Sequence, residues 1–94
     1  MKVSVVYIVT NRKNGTIYAG VTSNLIQRIF QHKNGLVEGF TKKYNCKQLV
    51  YYEIFETMLE AIEWEKKVKQ KSRKEKLKLI TSKNQEWKNL SDLF

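Results

Sequence analysis

The sequence predicts a small α/β or α+β domain, a three-stranded sheet carrying helices. Three observations predict it. Two apolar, β-branched runs flank a polar knot in "VVYIVTNRKNGTIYAG", residues 5 to 20. A third β-prone run, "KQLVYYEIF", follows at 47–55. Between and after these lie segments with helical spacing, opened by residues that cap helices, so the element order is ββαβαα.

Residues 3–10 and 16–22 are the first two strands, and Asn14-Gly15 between them readily supplies the positive φ angles of a tight turn. Side chains in a strand alternate faces, and cross-strand partners share one. A loop of Asn14-Gly15 alone, or of Arg12 to Gly15, makes partner numbers sum to an odd value, so both registers place Tyr7 and Tyr18 on one face. With the longer loop, Gly20 lies opposite Tyr7. A glycine there weakens the strand unless something must approach closely.

Thr22-Ser23 offers an N-cap for a helix over 23–34, "NLIQRIFQHKNG", ended by Asn34-Gly35. Leu25, Ile26, Ile29 and Phe30 form its expected buried stripe. Arg28 and His32 lie together on one border of that stripe, and Gln27 and Gln31 face solvent. Residues 36–46, "LVEGFTKKYNC", mix basic and aromatic residues without periodicity and read as a loop. The third strand comes next. Thr57 and Glu60 then form a capping box that opens a helix to about Lys71.

That helix presents Met58, Ala61, Ile62, Trp64 and Val68 as its apolar face, and Glu65 projects from the middle of it. A carboxylate facing a core is costly unless it is paired, protonated or bound to a cation. Two readings follow: a salt bridge to Lys69 one turn on, or a ligand for a hard cation such as Mg²⁺ or Mn²⁺. Ser72 and Glu75 form a second capping box, restarting a helix through Ile80. Trp87, Leu90, Leu93 and Phe94 are spaced to pack back on the body. We therefore expect one domain over 1–94, with a core of about 3–82 and a returning tail of 83–94.

The bulk numbers bound what this domain does. Ninety-four residues suffice for a single thin core, and a hydrophobic fraction of 41% argues against disorder. Eighteen Lys and Arg against 9 Asp and Glu give a net charge of +9, a field whose natural partners are polyanions. Cys46 is the sole cysteine, which excludes an internal disulfide and a cysteine-based metal site. No cleavage signal follows the first apolar run, and no stretch approaches the ~20 apolar residues of a membrane span. The expectation is a soluble, cytoplasmic domain that binds nucleic acid and no membrane.

Taken together, Tyr7, Tyr18, Arg28, His32 and Glu65 resemble the GIY-YIG nuclease family in order and in the elements that carry them. The first signature segment matches Val5-Val6-Tyr7 only in its tyrosine, with Val5 in place of glycine. The second matches Tyr18-Ala19-Gly20, with alanine for isoleucine. Arg28 and His32 fall at the family's spacing, and Glu65 in "AIEWEKKVK" matches its metal-binding glutamate. "GVTSNLIQRIFQHKNG", "GFTKKYN" and "LVYYE" are in the style of a small bacterial branch consisting of this domain alone. Asn84 in "KNQEW" resembles that branch's Asn-Pro-Glu-Trp segment without the proline.

The resemblance implies a central three-stranded antiparallel sheet flanked by helices. It also implies phosphodiester hydrolysis with one divalent metal, Mg²⁺ or Mn²⁺, held by Glu65. Arg28 would face the developing charge on phosphorus, and one of the two tyrosines would serve as base toward water. His32 and Asn84 complete the implied catalytic set. Lys42 and Lys43, between Phe40 and Tyr44, suit backbone contacts and base stacking, or are an ordinary lysine-rich loop. The implied substrate is DNA ahead of RNA. Specificity would be poor, structure-directed or supplied by a protein partner, with a place in DNA repair or processing. The alternative is a nucleic-acid-binding module that keeps the fold without turnover. The expectation separating them is that the five side chains line a single open cleft.

Overall fold

The hairpin loop sets the register on which everything else depends. The structure is a computed structural model that describes residues 3–36 and 39–93, apart from the side chains of Phe40 and Thr41. Strand β1, Ser4–Thr10, pairs antiparallel with β2, Ile17–Thr22, with Tyr7 opposite Gly20 and Val9 opposite Tyr18. This is the register of the longer loop. Thr10 Oγ1 donates to the carbonyls of Arg12 (2.7 Å) and Thr16 (2.8 Å), and Asn11 Oδ1 accepts from Thr16 N at 2.9 Å. Asn14 takes the left-handed conformation at φ 58°. Gly15 is required for a different reason, since a Cβ on it would lie 2.2 Å from Asn11 Oδ1.

Helix α1, Leu25–Lys33, is capped by Asn24, whose side chain accepts from Gln27 N; Thr22 Oγ1 in turn accepts from Asn24 N at 3.0 Å. The cap therefore falls one residue beyond Thr22-Ser23. The helix ends in paired bonds, Leu36 N to Gln31 O (2.8 Å) and Gly35 N to His32 O (3.2 Å), with Gly35 at φ 65°. The expected buried stripe is rotated. Leu25, Ile29 and His32 are buried and Arg28 half-buried, whereas Ile26 and Phe30 are 65% and 59% exposed. The helix turns the border carrying Arg28 and His32 toward the sheet, because His32 has a partner there.

Within the stretch expected to be a loop, Phe40–Lys43 forms a single helical turn, α2. Strand β3, Gln48–Phe55, then pairs antiparallel with β1, giving the order β2-β1-β3 with a fully buried β1 at the centre. The β1–β3 register shifts between Ile8, opposite Tyr51, and Val9, opposite Leu49. Val50 is the extra residue of this bulge. One face of the sheet consequently carries Val5, Tyr7, Val9, Leu49 and the half-buried Tyr18 and Tyr52 under Leu25 and Ile29 of α1.

The opposite face carries Val6, Ile8, Val50 and Tyr51 against α3, Met58–Gln70, and α4, Arg73–Lys83. Thr57 caps α3, and Ser72 with Glu75 closes a reciprocal capping box on α4, which runs three residues past Ile80. Trp64 Nε1 donates to Tyr51 Oη at 3.0 Å, and Arg73 Nη2 donates to Asn14 O (2.9 Å) and Gly15 O (2.8 Å), pinning the hairpin loop. The tail returns through buried Trp87 and a 3₁₀ turn, Leu90–Leu93. Leu93, however, is 71% exposed, and Phe94 lies outside the described residues.

Two asparagines hold this tail to the bulge. Asn84 Nδ2 donates to Val50 O (3.0 Å) and Lys88 O (2.8 Å), while its Oδ1 accepts from Lys88 N at 2.9 Å. Asn89 Oδ1 accepts from Leu49 N at 3.2 Å. Replacing Asn84 with alanine strands a buried carbonyl. Asn84→Ala is expected to cost about 1–3 kcal/mol, read as a lowered urea midpoint at unchanged slope.

Candidate active site

Gly20 has no side chain, so the ring of Tyr7 lies across it. A Cβ at Gly20 would fall 2.5 Å from Tyr7 Oη and 2.6 Å from its Cζ. The close approach expected at this glycine is therefore made by the tyrosine itself. Crossing β2 there brings Tyr7 Oη within 3.0 Å of His32 Nε2 on α1, with the two rings edge to face at 5.5 Å. The Tyr18 ring sits 6.3 Å from the same imidazole. One histidine thus stands over two tyrosines from neighbouring strands.

Burial controls the charge of this group. Tyr7 has no exposed surface, and desolvation pushes its hydroxyl up to about 12. Arg28 pulls it the other way, while the neighbouring Tyr18 and Glu65 add to the rise. His32, the only histidine, is brought down to about 4, first by burial and then by the charge of Arg28. At neutral pH both are uncharged. His32 Nδ1 is buried without a hydrogen-bond partner.

Above this neutral pair is a charged rim. Arg28 and Tyr18 are half-buried, and the Glu65 side chain on α3 is 16% exposed, with Oε2 3.6 Å from Lys69 Nζ. Lys69 is 48% exposed and lies 5.6 Å from the centre of the Tyr18 ring. Glu65 makes the expected ion pair, yet the pair stays beside the tyrosines. The five side chains accordingly do not line one open cleft. Tyr18, Arg28 and Glu65 form the accessible layer, and Tyr7 and His32 the buried layer beneath it.

Other expected site residues lie elsewhere. Asn84 spends both amide protons on main-chain carbonyls, so it staples the tail to β3. Lys42, Lys43 and Tyr44 are exposed on α2 and just past it, with Lys43 Nζ 5.4 Å from the Tyr44 ring; the side chain of Phe40 lies outside the described residues. Lys69 enters as a neighbour of Tyr18, which its i,i+4 spacing from Glu65 only partly signals. Lys76, which lines the same edge, comes from α4 and carries no such signal.

A hard divalent cation fits this rim in a limited way. Glu65 supplies a partly buried oxygen donor, but no three His, Cys, Asp or Glu side chains gather among the described residues. One carboxylate suits an ion such as Mg²⁺, which keeps several waters and takes further oxygens from phosphate.

Comparisons with known proteins bear on the family and the fold. A family model described as the GIY-YIG catalytic domain matches residues 3–78, a span that includes both tyrosines, Arg28, His32 and Glu65 and excludes Asn84. A UPF0213 protein of Staphylococcus saprophyticus is 42% identical over 76 residues, covering 81% of this chain and 92% of that one. Another from Clostridium perfringens is 40% identical over 72 residues, 77% of each chain. The solution NMR structure of a UPF0213 protein from Bacillus halodurans superposes with a TM-score of 0.57 at 30% identity, covering 99% of this chain and 97% of that one. Among the described residues no helix is long and apolar enough to cross a membrane.

Two measurements test the buried pair. Below pH 6.5 the unfolded chain takes up a proton that folded His32 refuses until about 4. The stability contributed by neutral His32 is thus full above 6.5 and lost as pH falls through that window. Proton NMR of the imidazole should show a midpoint near 4. In Gly20→Ala the new methyl displaces Tyr7, so the midpoint should move toward 6.5, with a stability loss of about 1–3 kcal/mol.

Proposed function

This chain belongs to the GIY-YIG family, and from that premise we propose that it is a divalent-metal-dependent endonuclease acting on DNA ahead of RNA. The observation that carries the proposal is the convergence of β1, β2, α1 and α3 on one site. Tyr7 Oη meets His32 Nε2 at 3.0 Å, with Tyr18, Arg28 and Glu65 around them. A net charge of +9 supplies the long-range attraction for a polyanion.

Each side chain takes a role from its environment. Arg28 presents a planar, permanently charged fork to the non-bridging oxygens of the scissile phosphate, where charge grows during attack. Tyr18, the accessible phenol, orients the attacking water and, once its own proton has passed to solvent, receives the water's proton as a phenolate. Tyr7 cannot be that base, because burial holds it protonated far above neutral pH. It serves as a donor. An orphaned ring lone pair is less costly than an orphaned N–H, so we assign the Nε2 proton of His32 to the bond with Tyr7 Oη. That leaves the Tyr7 hydroxyl proton directed away from the imidazole, toward the rim. GIY-YIG nucleases generally use divalent metals, and a metal held by Glu65 would supply charge neutralisation at the phosphate and leaving oxygen.

The competing reading is a binding module without turnover, and the Glu65–Lys69 pair favours it to the extent that the carboxylate is already satisfied. Incubation with supercoiled plasmid and branched duplexes, with Mg²⁺, with Mn²⁺ and with chelator, separates the two. The nuclease should nick only with metal. Glu65→Gln should slow it on the order of 10²–10³-fold while leaving nucleic-acid affinity in chelator within about threefold. Salt-sensitive binding with no cleavage of any substrate would establish the module instead.

A further inference from the structure

Lys69 has two neighbours of different kinds. Its ammonium is 3.6 Å from Glu65 Oε2, beyond a good hydrogen bond, and 5.6 Å from the centre of the Tyr18 ring. A carboxylate as buried as that of Glu65 needs a counter-charge, and α3 delivers Lys69 one turn later to provide it. A divalent ion held by the same carboxylate would bring a second positive charge next to the ammonium. The two cations compete for one ligand.

Lys69 also faces open space. A cleft of about 320 Å³ begins at Tyr18 and Lys69 and is lined further by Ile8, Ile17, Ala19 and Lys76. Its floor is apolar and its charged groups are two lysines from different helices, α3 and α4. The exposed ammonium of Lys69 is free to swing, since it is 48% accessible and its ion pair is loose. A phosphate in that cleft would offer it a stronger partner than a carboxylate already engaged by a metal.

We propose that Lys69 is the resident counter-ion of Glu65, and that it transfers to a substrate phosphate in the Tyr18–Lys76 cleft when a divalent ion takes the carboxylate. The inference rests on the reading of Glu65 as the metal's ligand. It makes Lys69 a positioning residue whose removal acts with opposite signs on two ligands. Metal binding to the free protein tightens because a competitor is gone. Nucleic-acid binding weakens because a phosphate contact is gone. A merely structural lysine would, on removal, weaken both or neither.

The test uses Mn²⁺ alone and a short fluorescein-labelled DNA duplex in the presence of Ca²⁺. Mn²⁺ affinity of the whole chain is measured by electron paramagnetic resonance at fixed pH and ionic strength, and duplex affinity by anisotropy over a salt series with Ca²⁺ present to occupy the carboxylate. Lys69→Gln should tighten Mn²⁺ about three- to tenfold. It should also weaken the duplex and reduce the salt slope by about 0.9, the share of one phosphate contact. Lys69→Arg, which keeps the charge, should leave both near wild type. Unchanged or weaker Mn²⁺ binding in Lys69→Gln overturns the counter-ion role, and an unchanged salt slope overturns the transfer. Glu65→Gln distinguishes the failures. If it loses Mn²⁺ while Lys69→Gln gains nothing, only the inference falls; if it binds Mn²⁺ as wild type does, the metal-ligand reading falls with it.

Discussion

The hydrogen bond between Tyr7 Oη and His32 Nε2 can form only because residue 20 lacks a Cβ, and most of the architecture follows from it. The Tyr7 ring must cross β2 to reach α1, so the strand pair has to place Gly20 directly opposite. The four-residue loop does this, and a one-residue slip would send Tyr7 to the other face. The same bond fixes the rotation of α1, turning His32 inward at the expense of Ile26 and Phe30. One polar contact thereby couples the hairpin register, the helix orientation and the exposure of an apolar pair that would otherwise have been core.

That contact also divides the site into a neutral layer and a charged one. Desolvation suppresses ionisation of both Tyr7 and His32, so the lower layer carries oriented dipoles and no net charge. Arg28, Glu65 and Lys69 carry the charge above it, where water and a ligand can reach them. Fixed dipoles beneath the charged rim need little reorganisation at the level where a phosphate would sit. A thin core in a chain of 94 residues has room for this because the tyrosines serve as core residues as well.

Much of this was legible in the sequence, and the exceptions have physical causes. The shared face of Tyr7 and Tyr18 followed from parity alone, which any even loop satisfies. The capping residues Thr57 and Ser72 marked α3 and α4 because each side chain has a local backbone donor to satisfy. The inward face of α1 was misplaced because periodicity ranks faces by apolar content, and here a long-range hydrogen bond outweighed two exposed side chains. The bulge at Val50 left no local mark, since its unpaired groups are satisfied from far along the chain by Asn84 and Asn89. For the same reason the role of Asn84 could not be read locally: its partners are Val50 and Lys88. The Glu65–Lys69 pair was legible as i,i+4 spacing, but its position against Tyr18 needed the packing of α3 on the sheet.

A rim with one carboxylate has a further physical consequence. In the proposed reading Glu65 would supply one or two of the six oxygens that Mg²⁺ demands, and the rest would come from water and from the ligand's own phosphate. In that reading metal and nucleic acid would complete each other's binding, and by linkage each, once bound, would raise the affinity for the other. In the proposed reading Lys69 sharpens this dependence, for it opposes metal until a phosphate draws it away. A domain so arranged would hold little metal when empty and assemble its reactive site only on a strand. Control of where it acts then lies in what brings the strand to Tyr18, not in a preformed metal centre.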